Sequence, residues 1–334
     1  MRAYVLTGPG LDQLRLVDRP RPALGAHTVL LRMRAFSLNA RDLQTVQGRY
    51  PVARGFPLVP LSDGVGEVVA RGESVTRVSV GDRVAPIFAQ RWLSGPRREE
   101  TWASTLASDL DGVLAEYVAL DEQGVVRVPS HLGDVEAATL TTAGVTAWEA
   151  LVVRAGLAPG DRVLVQGTGN VSLFALQFIT MIGAHAFVTS SSEAKLEKAR
   201  ALGAAGAVLR TLPDWTERVR ALSGGEGVDH VLDVAGDLAA SLACLRTGGS
   251  ITTVGYLAKL RLEVDVFPWL LANGTLRGVT VGPRDSFEAM NAALERHELG
   301  PVIWKTFEFE RAHEAFRSFA DAERFGKVVI TLER

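Results

Sequence analysis

Short apolar runs separated by glycine and proline fill the first 128 residues. Thr28 to Ala35, Gly64 to Ala70 and Val113 to Val118 are of this kind, and their β-branched content and spacing predict strands of a barrel- or sandwich-like domain. Between Pro86 and Gly112 the pattern turns polar, with Trp92, Trp102 and Arg97-Arg98-Glu99-Glu100. A stretch this long reads either as a lid or as a solvated excursion held by two tryptophans. From about Pro159 the texture changes. Arg162 to Val165 is an apolar run ending in Gly167-Thr168-Gly169, a helical period follows to Ile182, and Ala186 to Val188 is apolar again. Ser190 to Leu202 reads as a helix, with capping-box spacing at Ser190 and Glu193 and a stop at Gly203. Runs at Ala207 to Leu209, His230 to Val234, Ser250 to Val254 and Leu276 to Val281 alternate mostly with helical segments, which predicts a parallel, doubly wound sheet. Phe287 to His297 reads as an amphipathic helix and Lys327 to Ile330 as a closing strand that rejoins the first domain. The expectation is an α/β chain in which a Rossmann sheet, 129–280, is inserted into a β-rich domain made of 1–128 and 281–334.

Composition narrows the function. With 334 residues and 47% hydrophobic content the chain can bury two cores. A net charge of −2 offers no basic field for a nucleic acid. No run of uncharged apolar residues is long enough to span a membrane, and Gly8-Pro9-Gly10 arrives too early for a signal peptide, so a cytoplasmic enzyme is expected. The single cysteine, Cys244, leaves no internal disulfide and argues against a structural zinc site built from several thiolates. His297-Glu298 and His313-Glu314 each lack a second histidine at metal-binding spacing, and neither His131 nor His185 has a triad partner. With no Gly-x-Ser-x-Gly elbow either, a hydrolase is set aside.

The chemistry concentrates in Gly167-Thr168-Gly169-Asn170-Val171-Ser172. A glycine turn between a strand and a helix lets backbone approach a pyrophosphate and offers helix N–H groups to it; Ser172 is small enough to stand for the third glycine. An ordinary tight turn is the plainer alternative. An NAD site usually carries a carboxylate at the end of the second strand. Here that place holds Thr189-Ser190-Ser191-Ser192 with Lys195 beyond, and Arg210 follows the third strand, which suits the 2′-phosphate of NADPH. Glu193 keeps NAD open, although its capping position gives it another task.

At this point the chain resembles the medium-chain dehydrogenase/reductase superfamily, and within it the zinc-free quinone-oxidoreductase-like branch. The resemblance rests on Ser37-Leu-Asn-Ala-Arg-Asp42, Pro60-Leu-Ser-Asp-Gly-Val-Gly-Glu-Val-Val69, Val80-Gly-Asp-Arg-Val84, Ala143-Gly-Val-Thr-Ala-Trp148, Ser190 to Gly203 and Phe325-Gly-Lys-Val-Val-Ile330, and covers nearly the whole chain. It implies a GroES-like catalytic domain around the Rossmann domain. The positions that bind catalytic zinc through Cys, His and Cys in the zinc branch hold Asn39, Ser62 and Thr142 here, and the four-cysteine lobe is missing. Asn39, Thr142 and Thr146 are implied to line the nicotinamide end. Gly167, Gly169, Asn170 and Val171 are implied at the pyrophosphate, with Asn170 where the family usually has glycine. Ser191 and Lys195 are implied at the adenosine phosphate, which Ser190 and Arg210 could also reach, although Arg210 stands where quinone reductases often carry tyrosine. Val254, Gly255, Tyr256, Val281, Gly282, Gly326 and Lys327 are implied to flank the cofactor. A homodimer joined through the edge of the coenzyme sheet, near Ile251 to Leu262, also follows from the resemblance.

Without a Lewis acid, developing alkoxide charge on a simple alcohol or ketone has no metal to stabilise it, whereas a quinone or α,β-unsaturated carbonyl delocalises the incoming charge. The expected reaction is hydride transfer from NADPH to such an acceptor. Asn39 would donate to the acceptor oxygen, and Tyr50 would stack on or protonate it; a strand-end turn residue and a packed tyrosine are the plainer readings. Asp42 and Asp63 are expected to orient neighbours, Asp63 by tying down Arg41 or a turn. An NAD(P)-dependent alcohol or aldehyde dehydrogenase and a non-catalytic, crystallin-like NADPH-binding protein remain as alternatives.

Overall fold

The structure, a computed structural model, describes residues 1–255 and 265–332. In chain order its strands are β1 (Arg2–Leu6), β2 (Leu14–Asp18), β3 (Thr28–Ser37), β4 (Asp63–Arg71), β5 (Arg83–Pro86), β6 (Tyr117–Asp121) and β7 (Val125–Arg127), then β8 (Arg162–Gln166), β9 (His185–Ser190), β10 (Gly206–Leu209), β11 (Val228–Asp233), β12 (Leu245–Thr253) and β13 (Thr275–Gly278), and finally β14 (Ile303–Glu308) and β15 (Lys327–Thr331). They fall into two units, Met1–Val145 with Pro283–Arg334, and Thr146–Gly282.

In the first unit a sheet runs β14-β15-β3-β4-β5-β7, with β6 also pairing with β3. Strand β3 alternates partly exposed and buried residues along most of its length, the pattern of a sheet with one face on a core. Leu31, Met33, Leu38, Val113 and Phe316 belong to that core, and the Tyr4 ring meets Phe309 edge-on at 5.2 Å. The tail returns as expected: β15 pairs antiparallel with β3, placing Lys327 beside the end of that strand. The run at Val113 forms its strand later than expected. Val113 and Leu114 donate their N–H groups to Leu61 and Pro60, and pairing with β3 begins at Glu116, whose carbonyl accepts from the Met33 N–H. The segment 129–145, placed at the start of the coenzyme domain in the sequence reading, groups with this first unit. The helix Asp134–Ala137 within it packs against β3, β4, β14 and β15.

The second unit is a six-stranded parallel sheet of order β10-β9-β8-β11-β12-β13. The order reverses between β8 and β11, and ligands of such sheets bind beyond the carboxyl ends of the strands at that point. β8 is buried almost throughout, as befits a strand covered on both faces. The helix Asn170–Ile182 packs beside it, with Trp148 and Phe178 at 5.4 Å and nearly perpendicular. The helix after β9 spans Glu193–Ala201 and starts from Ser192, not Ser190. Ser190 is still in the strand, and its hydroxyl accepts from the Ser192 N–H at 3.2 Å, so the expected capping box is replaced by a local turn. Gly203 does end that helix, at φ +96°. No described helix is long and apolar enough to cross a membrane.

Candidate active site

In the second unit Gly167 follows β8 at φ +79°, a conformation that strains any residue with a Cβ. Methyl groups added to Gly167 or Gly169 would meet no atom within 4 Å, so open space lies in front of the turn where a pyrophosphate would sit. Asn170 and Val171 open the helix immediately afterwards, and an N-terminus of this kind attracts anions. Ser172 is buried, and its hydroxyl donates to the Gln166 carbonyl at 3.0 Å, clasping helix to strand where the third glycine would have allowed close approach. These residues fit a dinucleotide.

Ser190, Ser191 and Arg210 gather at the carboxyl ends of β9 and β10. The Arg210 N–H donates to the Ser190 carbonyl at 2.9 Å, and the side chains of Ser191 and Arg210 are exposed. Lys195 lies one turn into the following helix, half-buried. Glu193 is turned to Arg200, with its carboxylate 3.0 Å from the guanidinium. Val254 donates to the Asp233 carbonyl at 2.9 Å, and Gly255 approaches so closely that a Cβ would lie 2.6 Å from the Val234 oxygen. The Thr146 hydroxyl donates to the Thr280 carbonyl at 3.0 Å, and Val281 and Gly282 are buried just beyond. Tyr256 lies outside the described residues.

Asp233, which the sequence reading did not single out, closes β11 at the reversal point. Its Oδ1 accepts from Ala235 and Gly236, Oδ2 has no partner among the described residues, and burial raises its pKa. A carboxylate ending the apolar run Val231-Leu232 was the available signal.

The first unit assembles the other candidates. Asn39 sits between the end of β3 and the helix Ala40–Val46, its N–H donating to Asp42 Oδ2 at 2.7 Å. Lys327, only 1% exposed, donates from Nζ to Asn39 Oδ1 at 2.8 Å and to the Leu38 carbonyl at 3.1 Å. Asp63, with no exposed surface, lies 3.8 Å from that ammonium, an ion pair too long for a hydrogen bond. Its carboxylate accepts from the Ser62 hydroxyl at 2.8 Å and from the Thr142 hydroxyl and N–H at 2.5 and 3.1 Å. Ser62 and Thr142 hydroxyls are 3.3 Å apart. Burial pushes Lys327 down to about 8 and Asp42 up to about 6. Leu61, just before Ser62, is held at φ +68°. A leucine in that region is strained, and nothing in the sequence marked it.

Of the two partners expected for Asp63, it holds a backbone N–H, that of Thr142, and not Arg41. The Arg41 guanidinium donates to the Leu106 and Ala107 carbonyls at 3.0 and 3.1 Å and lies over the rings of Tyr50 and Phe88, at 4.8 and 4.6 Å. Tyr50 therefore stacks on an arginine. The same contacts fasten part of the 86–112 segment. Ser108 donates to the Pro51 carbonyl, Trp92 and Trp102 pack at 6.2 Å, and Trp92 and Leu106 are buried.

Thus the three positions that correspond to zinc ligands in the resemblance share one polar network. Its donor set does not fit zinc: it contains two hydroxyls, an amide and a carboxylate, with no sulfur or imidazole, and an ammonium already occupies the amide oxygen. Cys244 lies in the other unit, buried, its thiol pushed up to about 12. Among the described residues no group of three or more His, Cys, Asp or Glu side chains stands ready to hold a metal.

Residues 25–130 match the alcohol dehydrogenase GroES-like domain, and residues 170–296 match the family described as zinc-binding dehydrogenase. A zinc-type alcohol dehydrogenase-like protein of Schizosaccharomyces pombe is 36% identical, with 97% of this chain and 96% of that protein covered. A crystal structure assigned as a candidate alcohol dehydrogenase of Sinorhizobium meliloti 1021 is 42% identical at a TM-score of 0.93, covering 99% of this chain and 98% of the other. The structure of an NAD-dependent alcohol dehydrogenase is 31% identical at a TM-score of 0.90, with both chains covered in full. By its two matched domains and by the relatives it follows from end to end, the chain belongs to the medium-chain dehydrogenase/reductase superfamily as an alcohol dehydrogenase-like oxidoreductase.

Proposed function

We propose that the protein transfers hydride from NADPH to a quinone or an α,β-unsaturated carbonyl, without zinc. The observation that carries this reading is the Asn39–Lys327–Asp63 network, which offers an amide donor and a resident cation in place of metal-binding thiolates. Bound NADPH would supply the hydride. Asn39 Nδ2 would donate to the acceptor oxygen as negative charge develops there, and Thr142 and Thr146 would line the nicotinamide end. Tyr50, stiffened by Arg41, would form a wall against the acceptor. The phosphate end would rest on Gly167, Gly169, Asn170 and Val171, with Ser190, Ser191, Lys195 and Arg210 around the 2′-phosphate. The Glu193–Arg200 pair supports this choice, because it turns the Glu193 carboxylate to a guanidinium.

One relative favours a second reading. The NAD-dependent alcohol dehydrogenase of the same fold makes NAD-linked alcohol oxidation the competitor. We also propose a homodimer. β13 ends the parallel sheet, and the preceding helix Val266–Ala272 exposes Val266, Phe267, Leu270 and Leu271, apolar surface of the kind that associates. Of the segment first expected there, 256–262 lies outside the described residues.

Tryptophan fluorescence quenching, with six tryptophans as reporters, tests the cofactor. NADPH is expected to bind more tightly than NADH, and Lys195→Ala to weaken NADPH by about tenfold to a hundredfold, the range of a charged hydrogen bond of ~1.5–3 kcal/mol, while leaving NADH nearly unchanged. Equal or tighter NADH binding overturns the NADPH assignment.

A further inference from the structure

We propose that Lys327 is a positioning residue for Asn39: its buried ammonium holds Asn39 Oδ1, so that Nδ2 is the atom left to donate to the acceptor oxygen. The inference rests on the proposed reduction of an activated carbonyl, and it gives the lysine a task other than contact with the cofactor.

The amide nitrogen and oxygen of an asparagine are told apart by their partners. A lysine ammonium can only donate, so the 2.8 Å contact fixes the oxygen. The backbone N–H of the same residue is taken by Asp42 at 2.7 Å, which fixes the main chain from which the amide projects. The Nδ2 group is buried and has no hydrogen-bond partner among the described residues. Leaving such a donor unsatisfied costs about 1–3 kcal/mol, and a fold that keeps it needs a reason. A ligand oxygen supplies one. The ammonium behind the amide also polarises it, which strengthens its N–H as a donor. Lys327 is held in turn by the Leu38 carbonyl and by Asp63, so the arrangement is preorganised by strands β3, β4 and β15.

The four asparagines, Asn39, Asn170, Asn273 and Asn291, make a direct test possible. Protein labelled with nitrogen-15 only at asparagine gives four side-chain NH2 signals, and Asn39→Asp identifies one by its loss. In Lys327→Met the Asn39 pair is expected to move while the other three stay. With 2-cyclohexen-1-one as acceptor, kcat is expected to fall by about tenfold to a hundredfold, part of what loss of the donor itself would cost. NADPH affinity is expected to hold, and Lys327→Arg to recover part of the rate. An unmoved Asn39 signal in folded Lys327→Met overturns the inference, and so does a loss that falls on NADPH affinity instead of kcat. If Lys327→Met does not fold, Lys327→Arg decides, because a guanidinium displaces the donor and an unmoved Asn39 signal there is equally fatal. Should the wild type reduce neither enones nor quinones, the functional reading fails, while the amide signal still reports on the lysine.

Discussion

Asp63→Ala is expected to lower the unfolding free energy by about 3–5 kcal/mol, the usual cost of removing one partner from a buried pair. Both partners are fully enclosed, so water cannot take over the role of the lost carboxylate. Asp42 would then be the counter-charge left to Lys327 among the described residues, with Arg324 adding repulsion. Ser62 and Thr142 would also lose their common acceptor. The pH dependence follows from the lysine. Its native pKa, already pushed down to about 8 by burial, should fall further without Asp63. In the native state the proton is then released at lower pH than in the unfolded chain, so stability rises with pH across that interval. The deficit of the variant should therefore be greatest below its own lowered lysine pKa, shrink as pH rises to about 8, and stay level above that, where the native lysine is neutral in both proteins. Urea unfolding at several pH values measures it; a deficit under about 1 kcal/mol at pH 7, within the range of an exposed ion pair, would mean that the pair is not buried as described.

Asn39→Ala is expected to cost about a hundredfold to a thousandfold in kcat for enone or quinone reduction, the range found when a single oxyanion donor is removed. Because the interaction strengthens as charge reaches the acceptor oxygen, the loss should fall on kcat more than on KM. NADPH binding should be nearly unaffected. Stability should drop modestly, since Lys327 loses one of its acceptors. Steady-state kinetics against 2-cyclohexen-1-one checks this, and an undiminished kcat would remove Asn39 from the chemistry.

Much of the fold was legible from periodicity. The strand–helix alternation after Pro159 and the return of the tail at Lys327 follow from local patterns that tertiary packing did not override. The Gly167 turn was legible because only glycine takes its conformation easily. The misplaced elements share one cause. At Val113 and at Ser190 the backbone and hydroxyl partners come from residues that the local pattern does not reveal, Pro60 and Leu61 in one case and a strand extension in the other. The polar network shows the same limit. Asn39, Ser62, Asp63 and Thr142 could be nominated one by one, but their union depends on a lysine nearly three hundred positions from the asparagine. Nor could the sequence show that Arg41 would leave Asp63 for two carbonyls and two rings.

The most direct test of the account is turnover measured together with metal content. Purified protein, assayed for bound zinc and treated with a chelator, is offered NADPH with 1,4-benzoquinone or 2-cyclohexen-1-one, and separately NAD+ with a primary alcohol. NADPH-driven reduction that survives chelation, in protein holding no stoichiometric zinc, is the expected result. Alcohol oxidation with NAD+ that disappears on chelation and returns with added zinc would contradict it.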